Sequence, residues 1–215
     1  WSRTLIAGAA SLGGLVATVA SPVVGWALDR YGARTILTGS VLILGLSTVS
    51  LAWATAPIAF YLAYGTGRVL FSSPLNIGSS VVVSRWFVRQ RGRATGILFL
   101  SHSLGMITFP LIAGLVIKYR GWEDAWIVLG VLVWVLALGP VSILLRQSPE
   151  SVGLLPDGEF PEQGDTGIDV AAAVEEESWT LREAMRTPTL WLLALATGLL
   201  FLLQSGTNIH QGAYF

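Results

Sequence analysis

Long uncharged segments recur along this chain, and they restrict its fold more than any other feature. A helix that spans a bilayer needs about 20 predominantly apolar residues. Stretches without a charged residue cover 4–28, 35–67, 69–84, 94–117, 125–145 and 187–215. Hydrophobic residues make up 53% of the sequence and charged residues 12%, which is too apolar for a soluble domain of 215 residues. We therefore predict an all-α fold, a polytopic membrane protein built as a helical bundle.

The segment 35–84 is longer than one span, so its interruptions decide how many helices it forms. Pro57 breaks it, because proline cannot continue a preceding helix without losing a hydrogen bond. We expect one helix over roughly 35–53 and another over roughly 58–84, the second carrying Arg68. Six transmembrane helices result. Because apolar segments run up to both ends, we expect the chain to be an internal fragment of a longer protein.

Glycine residues within the spans are predicted to let helices approach closely, since a residue without a side chain leaves room for a neighbour. We expect such contacts to hold the first five spans together as a bundle. The candidates are Gly8, Gly13, Gly14, Gly65, Gly96 and Gly105.

The arginine residues between the spans predict which side of the membrane each loop faces. One group lies after the first, third and fifth spans: Arg30, Arg34, Arg85, Arg89, Arg91, Arg93, Arg146, Arg182 and Arg186. The opposite side carries only Arg3, Lys118 and Arg120. The positive-inside rule therefore places the larger group in the cytoplasm.

Charge and residue usage exclude several classes of partner. The formal net charge is +0 and no long basic tract is present, which argues against nucleic acid. Without cysteine, the chain cannot form disulfides or thiolate metal sites. No segment suggests a cofactor, and we predict none.

Composition divides the chain into three parts. Residues 1–146 hold five spans, and residues 187–215 hold the sixth. Between them, residues 147–186 are rich in acids and in turn-forming prolines, which predicts a solvated, largely flexible cytoplasmic linker. Near its end, Thr180-Leu181-Arg182-Glu183 has the spacing of a capping box and predicts a short interfacial helix.

A compact charged turn follows the first span and carries the most specific pattern in the chain. Residues 25–34 read Gly-Trp-Ala-Leu-Asp-Arg-Tyr-Gly-Ala-Arg. Their charges would be very costly in hydrocarbon, so the turn must lie at a membrane face. We expect Gly25 to let two helices approach, Gly32 to take a positive φ angle, and Arg34 to enter the next span at the interface. The spacing G-x-x-x-D-R-x-G-x-R resembles the signature loop of the major facilitator superfamily of secondary transporters.

Three further stretches resemble this superfamily. Residues 85–96 carry W-F-x-x-x-R-G-x-A-x-G, similar to its loop between the fourth and fifth helices. Residues 121–126 are similar to its turn before the sixth helix, with Glu123 in place of the usual arginine. Residues 148–158 resemble the start of its central linker in the monocarboxylate-transporter-like and oxalate/formate-antiporter-like branches. The resemblance implies that the six spans are helices two to seven of twelve.

The resemblance also implies a mechanism. Two bundles would rock about a central site and expose a small organic anion or other polar solute alternately to each side of a cell membrane, with or without a coupled proton or counter-ion. The carboxylate and two guanidiniums of the turn would form charge-assisted bonds that latch the halves together and break when the bundles tilt. The residues to which it assigns conformational gating are Gly25, Asp29, Arg30, Gly32, Arg34, Arg91 and Gly92.

Arg68 is the leading candidate for substrate binding or proton coupling, because it lies near the middle of its predicted span. A cation there costs at least about 2.5–3.5 kcal/mol unless it faces a polar cavity or a partner. Ser72 and Asn76 follow at i+4 and i+8, which predicts one polar stripe along the helix. The alternative is a structural arginine bonded to carbonyl groups of a neighbouring helix.

Two further sets of polar residues interrupt the predicted spans. His102 lies on a helix that resembles the cavity-lining fifth helix, where it would relay a proton, bind substrate or serve only in packing. In the last segment, Gln204, Asn208 and Gln211 share one helical face, and His210 widens it. Either this face contacts substrate, or the helix breaks near Ser205 and these residues form an outer loop.

Three classes of function remain possible from the sequence. A secondary transporter is the leading one. A membrane enzyme is disfavoured, because the sequence contains none of the D-x-x-x-D, H-E-x-x-H or G-x-S-x-G patterns that such enzymes use. A transporter-like receptor that binds its ligand without moving it is the third.

Overall fold

The computed structural model describes residues 3–146, 148–155, 157 and 181–214. Side chains are described for 5–146, 148–149, 152–155, 157, 182–201 and 203. The chain divides into two compact units, Trp1–Pro161 and Glu162–Phe215. Every regular element in the described ranges is helical, which confirms the predicted all-α class.

In the part of the first unit that the structure describes, there are seven α-helices and the short segments that join them. The helices are α1 (Arg3–Tyr31), α2 (Ala33–Ser50), α3 (Pro57–Leu70), α4 (Asn76–Trp86), α5 (Arg91–Arg120), α6 (Trp122–Val133) and α7 (Gly139–Ile143). The 3-10 turn Leu51–Trp53 extends α2, and a second 3-10 turn covers Pro149–Val152. The π-helical segment Phe71–Leu75 joins α3 to α4, and Trp134–Leu138 joins α6 to α7.

Among the described residues, four helices are long and apolar enough to cross a membrane, judged by length and composition: Leu5–Tyr31, Ala33–Trp53, Arg91–Arg120 and Trp122–Ile143. The continuous helix 57–86 corresponds to the predicted third span but is not among them. It is less apolar because it carries Arg68, Ser72 and Asn76. The helix that holds Arg68, Ser72 and Asn76 therefore falls outside the group that meets this criterion.

Local sequence explains where several helices begin and end. Pro57 is the first residue of α3, a position where its missing N–H costs nothing. Gly32 separates α1 from α2 with a φ of 83°, and Gly121 separates α5 from α6 with a φ of 103°. Side chains rarely adopt such positive φ angles, so glycine permits both tight turns. The prediction for Gly32 is confirmed.

Helix α2 lies at the centre of the first unit, where it packs against α6 and α3 and, less extensively, α1. A methyl group at Gly130 of α6 would lie 2.9 Å from the carbonyl oxygen of Gly45 and 3.0 Å from the amide nitrogen of Val49. The indole N–H of Trp134 donates to the carbonyl oxygen of Leu42 at 3.1 Å. Glycines on both helices thus allow the two backbones to approach closely, and the Trp134 indole packs beside this contact.

Only part of the predicted glycine set mediates close contacts. Gly8 packs against Tyr61, and Gly13 packs against Arg68, as expected. Gly65 takes part in the approach at Gly13, where an added methyl group would lie 3.4 Å from the Gly65 carbonyl oxygen. The prediction is wrong for three others, since an added methyl group would meet nothing within 4 Å: Gly14, Gly96 and Gly105. Two of them lie on α5, a helix with no buried residue, which packs on α6 and α4.

The end of the first unit that carries Asp29, Arg34, Arg85 and Arg146 is called the arginine-rich end below. A hydrophobic cluster of Leu28, Ala33 and Leu37 stabilises it from inside. A second cluster contains Ala9, Leu51, Ala54 and Phe60.

The beginning of the predicted linker belongs to the first unit, because the unit boundary follows Pro161 and not Arg146. Pro149 is fully buried, and the amide of Leu154 donates to its carbonyl oxygen at 3.1 Å. Composition did not predict that this short segment packs against the bundle, because composition shows only that the segment is polar.

The second unit contains α8 (Leu181–Ala184) and α9 (Pro188–Tyr214). Helix α8 falls where the capping-box pattern predicts a short helix, although Thr180 lies outside the described residues. Helix α9 continues through Ser205, so its backbone favours the helical interpretation of the last segment over an outer loop.

Candidate functional site

Arg68 lies in α3, close to the middle of the helix 57–86. It is roughly 16 Å along the helix from Pro57 at 1.5 Å per residue, about half of a hydrocarbon core of ~30 Å. Its side chain is exposed, and among the described residues none forms a hydrogen bond or ion pair with it. The absence of a side chain at Gly13 makes room for its stem, since a methyl group there would lie 2.9 Å from Cβ and Cγ of Arg68.

A cavity of about 200 Å³ adjoins Arg68 between α2, α3 and α6. Its polar lining includes Ser47, Thr48 and Tyr64 beside Arg68, and Trp126 lines it from α6. The hydroxyl of Ser47 donates to the carbonyl oxygen of Ala63, and that of Thr48 to Leu44 at 2.8 Å. With these two hydroxyls engaged, Arg68 is the charged residue among the described residues that line the cavity.

The π-helical segment Phe71–Leu75 corrects the spacing argument for Ser72 and Asn76. A π turn holds one extra residue, which rotates the following residues by roughly 100° relative to a regular helix. Arg68 precedes this turn, Ser72 lies within it, and Asn76 follows it. Arg68 and Asn76 are exposed while Ser72 is half-buried, so the three do not form the regular stripe that the sequence predicted.

The serine buried in this segment is Ser73, with an exposed fraction of 0%. Its hydroxyl lies 3.2 Å from that of Ser21 on α1. Because the Ser21 hydroxyl donates to the carbonyl oxygen of Ala17 at 2.8 Å, Ser73 is the donor in the pair. This bond ties the π segment to α1 one turn from Arg68.

His102 is exposed on α5, and its ring stacks on Phe71 with centroids 5.9 Å apart and an interplanar angle of 26°. Phe71 follows Arg68 by three residues, and both residues line the cavity described above. The structure thus brings His102 within about one helical turn of the Arg68 position. Phe71, which joins the two candidates, was not identified from the sequence, because aromatic residues in apolar spans carry no distinctive signal.

The polar candidates of the last segment lie on α9: Gln204, Asn208, His210 and Gln211. Their backbone is helical, and the i, i+4, i+7 spacing of the three amides places them on one helical face. Their side chains lie outside the described part of the chain.

At the arginine-rich end, the charged turn contacts other helices of its own unit. Asp29 forms an ion pair with Arg85, Oδ1 to Nη2, at 3.0 Å. Arg34 donates through Nε to the carbonyl oxygen of Ser142 at 2.9 Å and also through Nη2. The turn between α1 and α2 is thereby connected to the ends of α4 and α7.

Arg30 and Gly25 differ from the expected arrangement. The Arg30 guanidinium lies 5.4 Å from the Trp26 ring centroid and 6.0 Å from that of Tyr31, so aromatic faces hold it and not Asp29. The close helix approach predicted at Gly25 is wrong for the described bundle, because an added methyl group would meet nothing within 4 Å. Gly25 is half-buried with open space around it, and α1 approaches α3 closely at Gly13 instead.

The α4–α5 loop is held on both of its sides. Arg91 donates to the carbonyl oxygens of Phe87 and Ser84, both at 3.3 Å. Gly92 is exposed at the second position of α5, with open space around it. The carboxylate of Asp157 accepts hydrogen bonds from three backbone amides of this loop. Asp157 was missed as a functional candidate, although it lies in the linker stretch that resembles the superfamily.

One known protein family resembles this chain over nearly its whole length. Residues 1–214 match the Major Facilitator Superfamily. The chain belongs to this superfamily. The match confirms the resemblance carried by the charged turn and the loops, and it supports a multi-pass membrane protein built as a polytopic helical bundle. No solved structure matches the chain.

Several curated proteins are related to the chain. A relative from Thermoproteus tenax, an uncharacterized 38 kDa protein in a 23S RNA operon, is 30% identical over 89% of this chain and 47% of its own length. A probable hexose phosphate transport protein from Chlamydia pneumoniae is 25% identical over 84% of this chain and 42% of its own. A fujikurins efflux protein from Gibberella fujikuroi is 29% identical over 60% of this chain and 28% of its own length. The chain spans less than half the length of these relatives.

Proposed function

We propose that the full-length protein containing this chain is a secondary active transporter for a small organic anion or another small polar solute. The observation that carries the proposal is the exposed guanidinium of Arg68 near mid-membrane depth. A cation facing hydrocarbon costs at least about 2.5–3.5 kcal/mol, so Arg68 must face a polar cavity or a partner. An anionic substrate offsets that cost through charge-assisted hydrogen bonds.

Two further observations support a site around Arg68. His102 stacks on Phe71 close by, where an imidazole suits either proton coupling or substrate binding. Gln204, Asn208 and Gln211 share one helical face of α9, and we propose that these polar groups also contact the solute. Alternating access then exposes this site to each side as the two bundles tilt.

The ion pair at the arginine-rich end supports a gating role for the charged turn. Asp29 is 74% exposed and Arg85 is 32% exposed, and such surface pairs contribute only about 0–1 kcal/mol. A weak pair breaks easily during a conformational cycle, which is what a gate requires. In this proposal Asp29, with Arg85 as its partner, Arg30, Arg34 and Arg91 change contacts as the bundles tilt, while Gly25, Gly32 and Gly92 accommodate the movement.

The names of the relatives support transport in general. One is named for hexose phosphate transport and another for fujikurins efflux, which points to a transporter rather than an enzyme. Hexose phosphates are anions, in line with the arginine. We further propose that the protein belongs to the monocarboxylate-transporter-like or oxalate/formate-antiporter-like branch and that a proton or counter-ion is coupled to transport. The proposed location is a cell membrane, the inner membrane in a bacterium, with the arginine-rich end in the cytoplasm.

Flux across a membrane tests the proposal directly. The full-length protein is reconstituted in liposomes, and uptake of radiolabelled monocarboxylates, dicarboxylates and sugar phosphates is measured against empty vesicles. We expect one class to accumulate and Arg68→Gln to abolish that uptake. Arg120→Gln is the matched control, because it removes the same charge from an exposed position in the last turn of α5 and should leave uptake unchanged.

The same experiment separates the alternatives. Saturable binding of an anion without flux would favour a transporter-like receptor. Normal uptake by Arg68→Gln would contradict the assignment of Arg68 to the substrate site. Chemical conversion of a solute at the membrane would favour an enzyme.

A further inference from the structure

Asp157 connects the segment after α7 to the loop between α4 and α5. Its Oδ2 accepts hydrogen bonds from the backbone amides of Val88 at 3.3 Å and Arg89 at 2.8 Å. Its Oδ1 accepts one from the amide of Gln90 at 3.1 Å. Three consecutive amides therefore point at one carboxylate, immediately before α5 begins at Arg91.

The charge of this carboxylate matters to the contact. The amide hydrogen bond from Arg89 is the main cause that lowers the pKa of Asp157 below its ordinary value of 3.8. Burial opposes the shift, while the Gln90 and Val88 amides and the positive charge of Arg89 add to it. Amides at the start of a helix favour a negative charge, so the contact is formed by the ionised group.

Backbone geometry indicates that the contact is specific. Asp157 has a φ of 65°, in the left-handed region that residues with side chains seldom occupy. Aspartate tolerates this conformation better than most residues, but still at some cost in free energy. The three hydrogen bonds offset that cost, and they require this orientation of the side chain.

The α4–α5 loop is also fastened at its beginning. The indole N–H of Trp86 donates to the carbonyl oxygen of Arg146 at 3.2 Å. Arg91 closes the loop onto the last turn of α4. Arg85, the partner of Asp29, lies in that same turn. A displacement of the loop therefore reaches the ion pair of the charged turn through only a few residues.

We propose that Asp157 is a positioning residue that clamps the start of the linker to the α4–α5 loop. Because the clamp fixes the start of the linker to this loop, tilting of the second half moves the loop and thereby affects the Asp29–Arg85 pair. Existence of the clamp is independent of transport, whereas its effect on the cycle rests on the function proposed above.

Hydrogen exchange of the full-length protein tests the clamp without any substrate. In Asp157→Ala, we expect the amides of Arg89 and Gln90 to exchange roughly tenfold faster, because each loses a charged acceptor. Asp157→Asn keeps the size and one carbonyl acceptor but not the charge, so we expect an intermediate increase. Glu123→Ala, which removes an exposed acid at the start of α6, should leave both amides unchanged.

Equal exchange at residues 88–90 in wild type and in Asp157→Ala would overturn the clamp. Its coupling to transport is tested with Asp157→Asn in liposomes, where we expect a several-fold lower maximal rate and an unchanged KM, since the clamp is remote from Arg68. Wild-type rates in that variant, despite faster exchange, would overturn the coupling. Absence of flux in the wild-type protein would contradict the proposed function while leaving the exchange result intact.

Discussion

Replacing Gly45 with alanine places a methyl group where the indole of Trp134 already lies. The new Cβ would be 2.5 Å from Cδ1 and 2.6 Å from Cε2 of that ring. The ring cannot withdraw freely, because its N–H is bonded to the carbonyl oxygen of Leu42. Overpacking of this kind costs about 1–3 kcal/mol. Contacts as short as 2.5 and 2.6 Å place the cost in the upper part of that range, about 2–3 kcal/mol. Alanine recovers about 0.5–1 kcal/mol in a helix relative to glycine, which leaves a net loss of about 1–2.5 kcal/mol.

Gly39 provides a matched control on the same helix. A methyl group at Gly39 would meet nothing within 4 Å, so the same substitution there retains only the favourable helical contribution. We therefore expect opposite signs, with Gly45→Ala destabilising the protein and Gly39→Ala stabilising it by about 0.5–1 kcal/mol. Thermal unfolding of the full-length protein in detergent, followed by tryptophan fluorescence, measures both variants against wild type.

The order of the melting temperatures decides the outcome. A Tm for Gly45→Ala equal to or above that of Gly39→Ala would refute the packing of α2 against α6 described here. A lower Tm for Gly45→Ala that is restored by Trp134→Ala would assign the loss to the indole, since that second change removes the obstructing ring.

Three further predictions concern charged groups. Under the proposed function, Asp29→Asn should reduce uptake by the full-length protein several-fold while lowering stability by less than about 1 kcal/mol, because the pair is exposed; wild-type flux would remove the gating role. Arg68→Lys keeps the charge but loses the planar fork, so a bidentate contact with an anion predicts a higher KM, and an unchanged KM would indicate a simple charge requirement. The pKa of Asp157 is lowered in the folded state, so its contribution is complete above the ordinary value of 3.8 and is lost only as pH falls through the lowered value. Exchange protection at Arg89 and Gln90 should therefore be constant from about pH 8 to pH 5, and a loss of protection within that window would contradict the clamp.

Helix α5 shows how far the sequence alone could lead. Its length, its start after the arginine-rich loop and its end at Gly121 agree with the segment 94–117 predicted from uncharged residues. The contacts expected of Gly96 and Gly105 are absent from the described bundle, because a methyl group at either position would meet nothing within 4 Å. Sequence reports that a glycine can permit a close approach, but not which helix is near it.

The sequence predicted the residues of the candidate site better than it predicted their arrangement. Arg68 and His102 were identified because polar groups are rare in membrane-length apolar segments. Their proximity through Phe71 depends on how α3 and α5 pack. The π-helical segment also altered the register of Ser72 and Asn76, an effect that regular helical spacing cannot anticipate.

The sequence by itself determined the helical membrane class, the turns at Gly32 and Pro57, and the superfamily, because each depends on local composition or on spacing between close neighbours. Only the tertiary structure decided that Asp29 pairs with Arg85, that Gly45 faces Trp134, and that Asp157 fastens the linker to the α4–α5 loop. These contacts join residues far apart in the chain. Their free energies depend on distances that arise only after the helices have packed, so no local pattern encodes them.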